Sequence, residues 1–415
     1  MTAVQQLYYC DDRAVDHLLR FAEQGGHQRF MLVCDRNTYP ILGEQVQKKL
    51  LEMGWQVSCV ILEGEEIIAD EEYLIQVLFQ ADAQARLYVA VGSGTITDIT
   101  RFCSHRTGNP FVSLPTAPSV DGFASVISPL VIRRFKDTAY AQGPAAIFAD
   151  IHTLCAAPPA MIAAGFGDML GKYTALADWQ IAHLLTGEAY HPVIAERMGE
   201  ALNTCVENIQ GIREGTPQGI TRLLDGLVES GVCMQLNGNS RPASGAEHHL
   251  AHYWEMMLLR QGRPAILHGA KVGVGTALIA GRYEQLRLLS QAEVDQRLQR
   301  AKLPHWEAEQ AEIQRGYGAI AARIADEQRR YRETALADFN LLKSKISQHW
   351  ENIRQIANSV PSAQRMVELL AEVGAPSKVS DIGLLPEDEV DALRYAHYLR
   401  SQFTITRLGH ILGLW

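Results

Sequence analysis

The sequence predicts an α/β domain with a parallel sheet over residues 1–150, followed by an all-helical domain over residues 151–415. Three observations carry this. The first third alternates short apolar runs with amphipathic segments, which is the signature of βαβ units. After about Asp150 the β-branched runs become scarce, and Ala, Leu, Glu, Arg and Gln take over. A chain of 415 residues is also long for one domain and comfortable for two. The elements follow in order. Arg29–Cys34 (RFMLVC) is a buried strand that stops at Asp35 before the turn-like DRNTYP, and Ile41–Met53 has helical spacing. Trp55–Leu62 is a second strand, Glu71–Ala83 a second helix, and Leu87–Val91 a third strand running directly into GSGTITDIT. Phe111–Leu114 and Ala145–Ala149 complete the expected strands. Beyond them, Pro159–Leu185 and Glu307–Ala357 carry apolar residues at helical spacing, and Pro361 and Gly374–Pro376 punctuate the end region.

Composition narrows the function. Hydrophobic residues make up 47% and charged residues 20%, so the chain can bury real cores. The net charge of −9 argues against a nucleic-acid partner, and an anionic substrate requires a local positive site. The seven cysteines are scattered, odd in number and without a CxxC pair, which reads as reduced thiols in a cytoplasmic protein. The N-terminal segment is acidic where a secretory leader is basic, and no run has the roughly 18 apolar residues of a membrane span.

Two features near the strand ends suit a nucleotide. Gly92 and Gly94 follow a buried strand and precede a helix, where free N–H groups and the helix dipole favour a phosphate; Thr95 and Thr97 can add hydroxyls. The pattern is neither a full GxGxxG nor a Walker sequence, so a plain tight turn fits as well. Asp35 at the first strand end is placed to accept from an adenosine ribose, which favours NAD over NADP; the alternative is a turn-initiating Asp.

The strongest chemistry lies in NGNSRPASGAEHHLAHYWEMMLLRQGRPAILHGAKVGVGT. Ser244 and Glu247 have capping-box spacing, so a helix is expected to begin there, with His248 and His252 on one face and His249 about 100° away. Gly262–Pro264 end it, and His268 opens the next segment, so a short turn can bring His248 and His268 together. Two imidazoles and one carboxylate leave an open position for a substrate oxygen. Asp168, set among Ala, Gly, Met and Leu, is the candidate carboxylate, since an ionised Asp there is costly unless paired or ligating. A surface HxxxH pair and a helix-surface Asp are the competing readings. HEXXH and GxSxG are absent, which removes support for a zincin protease or a serine hydrolase.

Taken in order, GSGTITDIT, LPTAPSVDGFAS, AAGFGDMLGKYTALADW, NGNSRPASGAEHHLAHYWEM and HGAKVGVGT resemble the iron-dependent alcohol dehydrogenase and glycerol dehydrogenase superfamily, within it the branch acting on sn-glycerol 1-phosphate. The likeness spans roughly Asp35 to Thr276 and is loose beyond residue 285. It implies an α/β nucleotide-binding domain followed by an all-α metal-binding domain, an architecture shared with dehydroquinate synthase. It implies NAD or NADP and one divalent metal ion, zinc foremost, with nickel or iron compatible. It implies metal ligation by Asp168, His248 and His268, and substrate contacts from Asp121, Asp168 and His252. The matching cofactor positions are Asp35, Gly94, Thr95, Ile96, Thr97, Asp98, Thr116, Ala117, Pro118, Ser119 and Ser125. One departure is visible, Ala270 where many relatives carry Glu in HGEKV, and it leaves the ligand set intact.

The reaction so implied is hydride transfer at C2 between dihydroxyacetone phosphate and sn-glycerol 1-phosphate, with the metal at the C2 oxygen and His252 orienting substrate or passing a proton. Lys172, Arg241 and Ser244 are candidates for the substrate phosphate, each also readable as a solvated charge or a cap. A homodimer or higher homo-oligomer is expected from the resemblance. The rivals are a glycerol or other polyol dehydrogenase on a non-phosphorylated substrate, a sugar-phosphate cyclase, which carries Glu at the position of Asp168, and a helical interaction protein built around Glu307–Ala357.

Overall fold

The computed structural model describes residues 6–415, so the first five residues of the N-terminal segment lie outside it. The chain forms two compact units: the first holds the residues up to Met169 together with Glu200–Asn239, and the second holds Leu170–Gly199 and Ser240–Trp415. The last strand ends at Asp150 and the remainder is helical. Residue 150 therefore marks the change of secondary structure, while the packing division lies elsewhere. Helix Pro217–Asn237 packs with the sheet unit because Tyr8 Oη donates to Asp225 Oδ1 (3.1 Å) and Ser230 Oγ to Asp121 Oδ2 (2.8 Å).

The first unit is built on a six-stranded parallel sheet. Its strands are β1 (Tyr8–Asp11), β2 (Arg29–Asp35), β3 (Gln56–Leu62), β4 (Leu87–Gly92), β5 (Phe111–Pro115) and β8 (Ala146–Asp150), in the order β1-β8-β5-β4-β2-β3. Both faces are covered, as a parallel sheet requires. Phe30, Leu32, Cys34, Val89 and Val91 pack toward one core; Met31, Val33, Tyr88 and Ala90 pack toward the other. Burying a side chain of this size contributes about 1.5–3 kcal/mol, and a one-residue slip would exchange the faces, so the register Val33↔Ala90 is strongly set. The chain leaves β2 for β3 on one side and returns to β4 on the other. That makes the carboxyl ends of β2 and β4 the topological switch point, where open α/β sheets bind their ligands.

Several elements depart from the sequence expectation. The edge strand β1 was not foreseen, nor was the antiparallel hairpin of β6 (Ile127–Ile132) and β7 (Phe135–Tyr140). The helix expected from Ile41 starts at Glu44, because Tyr39–Gly43 forms a π-helical turn, and the one expected to reach Ala83 ends at Phe79.

In the second unit, helix Ala246–Gln261 packs along helix His268–Arg287, with helices Lys172–Thr186, Trp350–Ser359, Ala363–Val373 and Ile405–Leu412 around them. Gly262 ends the first of the pair in the left-handed conformation (φ +64°). Among the described residues, no helix is long and apolar enough to cross a membrane.

Candidate functional site

The expected cofactor positions lie at the carboxyl ends of β2, β4 and β5. Asp35 closes β2, and its Oδ1 accepts the N–H groups of Asn37 and Thr38, both at 2.8 Å, so the turn-initiating role is real. Helix Gly94–Arg106 starts directly after β4, leaving its first N–H groups without intrahelical acceptors. Its side chains mostly point inward. Ile96 is buried, Thr97 Oγ1 sits 3.4 Å from Ser113 Oγ, and Asp98 pairs with the buried Arg101 at 2.6 Å. The Thr97 hydroxyl is thus taken up by the sheet, and only Thr95, of the two threonines, is partly exposed at the helix start. The segment after β5 is tied to this turn: the Thr116 N–H donates to Gly92 O, and Ser119 Oγ bonds to Ser93 Oγ. Ala117 and Pro118 are buried between these bonds, and Ser125 Oγ accepts the Ile127 N–H where the hairpin begins.

Asp168 stands near the end of helix Pro159–Leu170 and is fully buried, which rules out the helix-surface reading. Its Oδ2 accepts the N–H of Asp121 at 3.0 Å, and Asp121 in turn accepts from Ser230. Gly165 makes this possible. A Cβ there would lie 1.8 Å from the Pro118 carbonyl oxygen, so only glycine lets the helix approach the segment Thr116–Asp121 this closely.

The histidines come together in the second unit. Helix Ala246–Gln261 presents His248 and His252 one turn apart, and His268 is the first residue of the next helix. Ring centroids are 5.4 Å apart for His248 and His268, 5.6 Å for His252 and His268, and 6.0 Å for His248 and His252. His248 is buried; His252 and His268 are partly exposed. His249 points away toward Gln402 Oε1 (3.1 Å), and burial pushes it down to about 3, so that ring is neutral. His252, Glu255 and His268 also offer ligand atoms within 4.8 Å of one another, and Glu255 pairs with the buried Lys271 at 3.5 Å.

The helix start corrects one expectation. Ser244 is not the cap; Gly245 occupies that position, and the helix begins at Ala246. The Glu247 carboxylate still reaches back, with Oε1 accepting the Gly245 N–H at 2.7 Å. The candidate phosphate anchors are deeply set. Lys172 Nζ donates to Ala243 O at 3.1 Å, and Arg241 bonds Glu188 Oε1 at 2.8 Å and Phe403 O at 2.6 Å. Ser244, which follows Arg241 closely in sequence, is partly exposed.

Sequence reasoning missed two buried carboxylates. Asp178 accepts from Tyr283 Oη (2.7 Å), Ala246 N (2.8 Å) and Ile405 N (2.6 Å). Glu247 was read only as a capping residue, yet its Oε1 lies 2.8 Å from His248 Nδ1. Burial pushes its carboxyl up, but the bonds from His248, Thr174 and Gly245 outweigh this and hold it below the ordinary range.

The sequence pattern described as iron-containing alcohol dehydrogenase matches residues 10–158. A glycerol-1-phosphate dehydrogenase (NAD(P)+) of Geobacillus thermodenitrificans is 38% identical over 396 residues, covering 94% of this chain and 89% of that protein. The protein of the same name from Bacillus subtilis is 36% identical over 399 residues, covering 95% and 89%. Among solved structures, the glycerol dehydrogenase of Schizosaccharomyces pombe superposes with a TM-score of 0.63 at 14% identity, covering 99% of this chain and 88% of that one, which supports the fold. With relatives this similar over nearly their whole length, the chain belongs to the glycerol-1-phosphate dehydrogenase family of the iron-containing alcohol dehydrogenases.

Proposed function

We propose that this oxidoreductase interconverts dihydroxyacetone phosphate and sn-glycerol 1-phosphate by hydride transfer at C2, using NAD or NADP and one divalent metal ion. The observation that carries the reading is full-length similarity to glycerol-1-phosphate dehydrogenases combined with a cluster of three imidazoles at the start of two packed helices.

The donor set fits a metal. Asp168, His248 and His268 would supply a carboxylate and two imidazoles, a set of donors suited to one ion that leaves a position open. These three are the ligands in this reading, and zinc is the first choice, with nickel and iron compatible. The ion, when bound, supplies Lewis acidity at the C2 oxygen. His252, partly exposed one turn from His248, orients the substrate hydroxyl and passes its proton toward solvent; Asp121 contacts the substrate beside Asp168. Lys172 and Arg241 are the cations assigned to the phosphate, and a buried cation is worth more to an anion than a solvated one. The nicotinamide nucleotide is assigned to the switch point: its pyrophosphate at the helix starting with Gly94, Thr95 and Ile96 and continuing through Thr97 and Asp98, and its remaining contacts from Thr116, Ala117, Pro118, Ser119 and Ser125. Asp35 would hold the ribose and favour NAD. A homodimer or higher homo-oligomer and a cytoplasmic location complete the reading, the latter supported by seven free cysteines.

The experiment is a cofactor-oxidation assay on protein loaded separately with zinc, nickel or iron. Dihydroxyacetone phosphate should exceed dihydroxyacetone in kcat/KM by at least ~100-fold, because only the phosphate ester can take charge-assisted hydrogen bonds from the site. Equal rates would favour the polyol dehydrogenase reading. His268→Ala should lose both stoichiometric metal and turnover with an unchanged far-ultraviolet circular dichroism spectrum; retained turnover would remove that residue from the site.

A further inference from the structure

Neighbouring residues on a helix project about 100° apart and do not normally touch through their side chains. Glu247 and His248 do. Glu247 lies in the first turn of its helix, and its carboxylate folds back so that Oε1 meets both the Gly245 N–H (2.7 Å) and His248 Nδ1 (2.8 Å). Oε2 accepts from Thr174 Oγ1 at 2.6 Å. The carboxylate is fully buried and held from three sides, so its position is fixed before any ligand arrives. The backbone is shaped to admit it: a Cβ on Gly245 would stand 2.9 Å from Glu247 Oε2 and 2.7 Å from Asp178 Oδ2.

A neutral imidazole carries one proton, and the nitrogen that holds it cannot ligate a metal. Oε1 already accepts the Gly245 N–H and Oε2 the Thr174 hydroxyl, so both oxygens stand as acceptors, and the nitrogen facing Oε1 is the one that carries the proton. We propose that Glu247 is a positioning residue for the metal, taking the Nδ1–H of His248 and thereby presenting Nε2 of that ring to the ion. The bond also fixes the ring's rotation and raises its basicity. This inference rests on the reading of His248 as a ligand.

The test measures zinc affinity by competition with a chromophoric chelator, alongside the melting temperature of the metal-free protein, for the wild type, Glu247→Gln and Thr174→Val. Outer-shell partners of ligating histidines are worth about 10–100-fold in affinity. E247Q should therefore weaken zinc binding about 10–100-fold, whereas T174V, which removes a bond to the same carboxylate without touching His248, should stay within about 2-fold even if its melting temperature falls as far. Wild-type affinity in E247Q, or equal losses in both variants, would overturn the proposal. If E247Q does not fold, Glu247→Asp, which keeps the charge but shortens the reach, is measured in the same way: weaker zinc binding supports the assignment and unchanged binding overturns it. A wild-type protein that binds no zinc, nickel or iron would instead sink the metal reading itself. Long-range 1H–15N spectra of the metal-free protein give an independent readout: His248 should carry its proton on Nδ1, and a proton on Nε2 would contradict the assignment.

Discussion

Asp178 shows how one buried carboxylate can organise a site that it does not join. It accepts two backbone N–H groups and one phenol, so it fixes the start of the histidine helix at Ala246, the side chain of Tyr283 and the backbone at Ile405. Burial, and next the negative charge of Glu247, pushes its carboxyl up to about 7. An unfolded Asp titrates near ~3.9, so over the range from about pH 4 to about pH 7 the folded chain holds a proton that the unfolded chain releases. The stability linked to this proton is fully present below about pH 4 and is lost as the pH rises through 7. Asparagine cannot ionise and lacks this component. In denaturant titrations the stability gap between wild type and Asp178→Asn should therefore narrow from pH 5 to pH 7, by at most about 1.4 kcal/mol per pH unit for a single proton. A gap that widens over that range would contradict the assignment. Glu247 behaves in the opposite way, since three donors hold its charge in place. Two buried carboxylates that meet one helix start, Glu247 from within it and Asp178 from helix Lys172–Thr186, thus differ because one has an imidazole for a partner and the other has none.

At the level of elements, the sequence was readable wherever burial imposes a pattern. The five runs read as strands correspond to β2, β3, β4, β5 and β8, because a parallel sheet covered on both faces leaves continuous apolar runs between turns. The edge strand β1 escaped because YYCD is only four residues long and part-exposed. The hairpin escaped for two reasons. Pro129 sits inside β6, where proline ordinarily argues against a strand, and the turn is Arg133–Arg134, both with positive φ, where Asn or Gly is the usual signal. The long helical stretch from Glu307 was readable as helix but not in its breaks, such as Gly318 (φ +54°). At the site, the spacing of His248, His252 and His268 was legible because helical periodicity and a short connection determine it. The bonds of Glu247 and Asp178 were not, because Thr174, Tyr283 and Ile405 lie far away in the chain and no local pattern names them.

At the scale of the whole chain, the C-terminal segment returns to the unit that carries the histidines. Ile405 is 227 residues from Asp178, and its N–H donates to Asp178 Oδ1; Phe403 supplies the carbonyl that Arg241 Nη2 grips at 2.6 Å. Arg407 then bonds Gln328 Oε1 (2.8 Å) and the His397 carbonyl (3.0 Å). The segment is thus a structural part of the unit, and one N–H tests how much it contributes. Ile405 is the first residue of helix Ile405–Leu412, and Thr404 before it is extended (ψ 170°). Proline is tolerated at that helix position and after an extended residue, so Ile405→Pro removes the donor while the helix persists. Ile405 is also fully buried, so Ile405→Val serves as the control for lost volume, at about 0.5–1.5 kcal/mol. Above the pH range in which Asp178 titrates, its carboxylate is a charged acceptor and a hydrogen bond to it is worth about 1.5–3 kcal/mol, while proline returns about 0.4–1 kcal/mol by restricting the unfolded chain. In urea titrations I405P should therefore lose about 1–2 kcal/mol more than I405V. Equal losses in the two variants would mean that the long-range bond contributes nothing net and that apolar packing alone holds the segment in place.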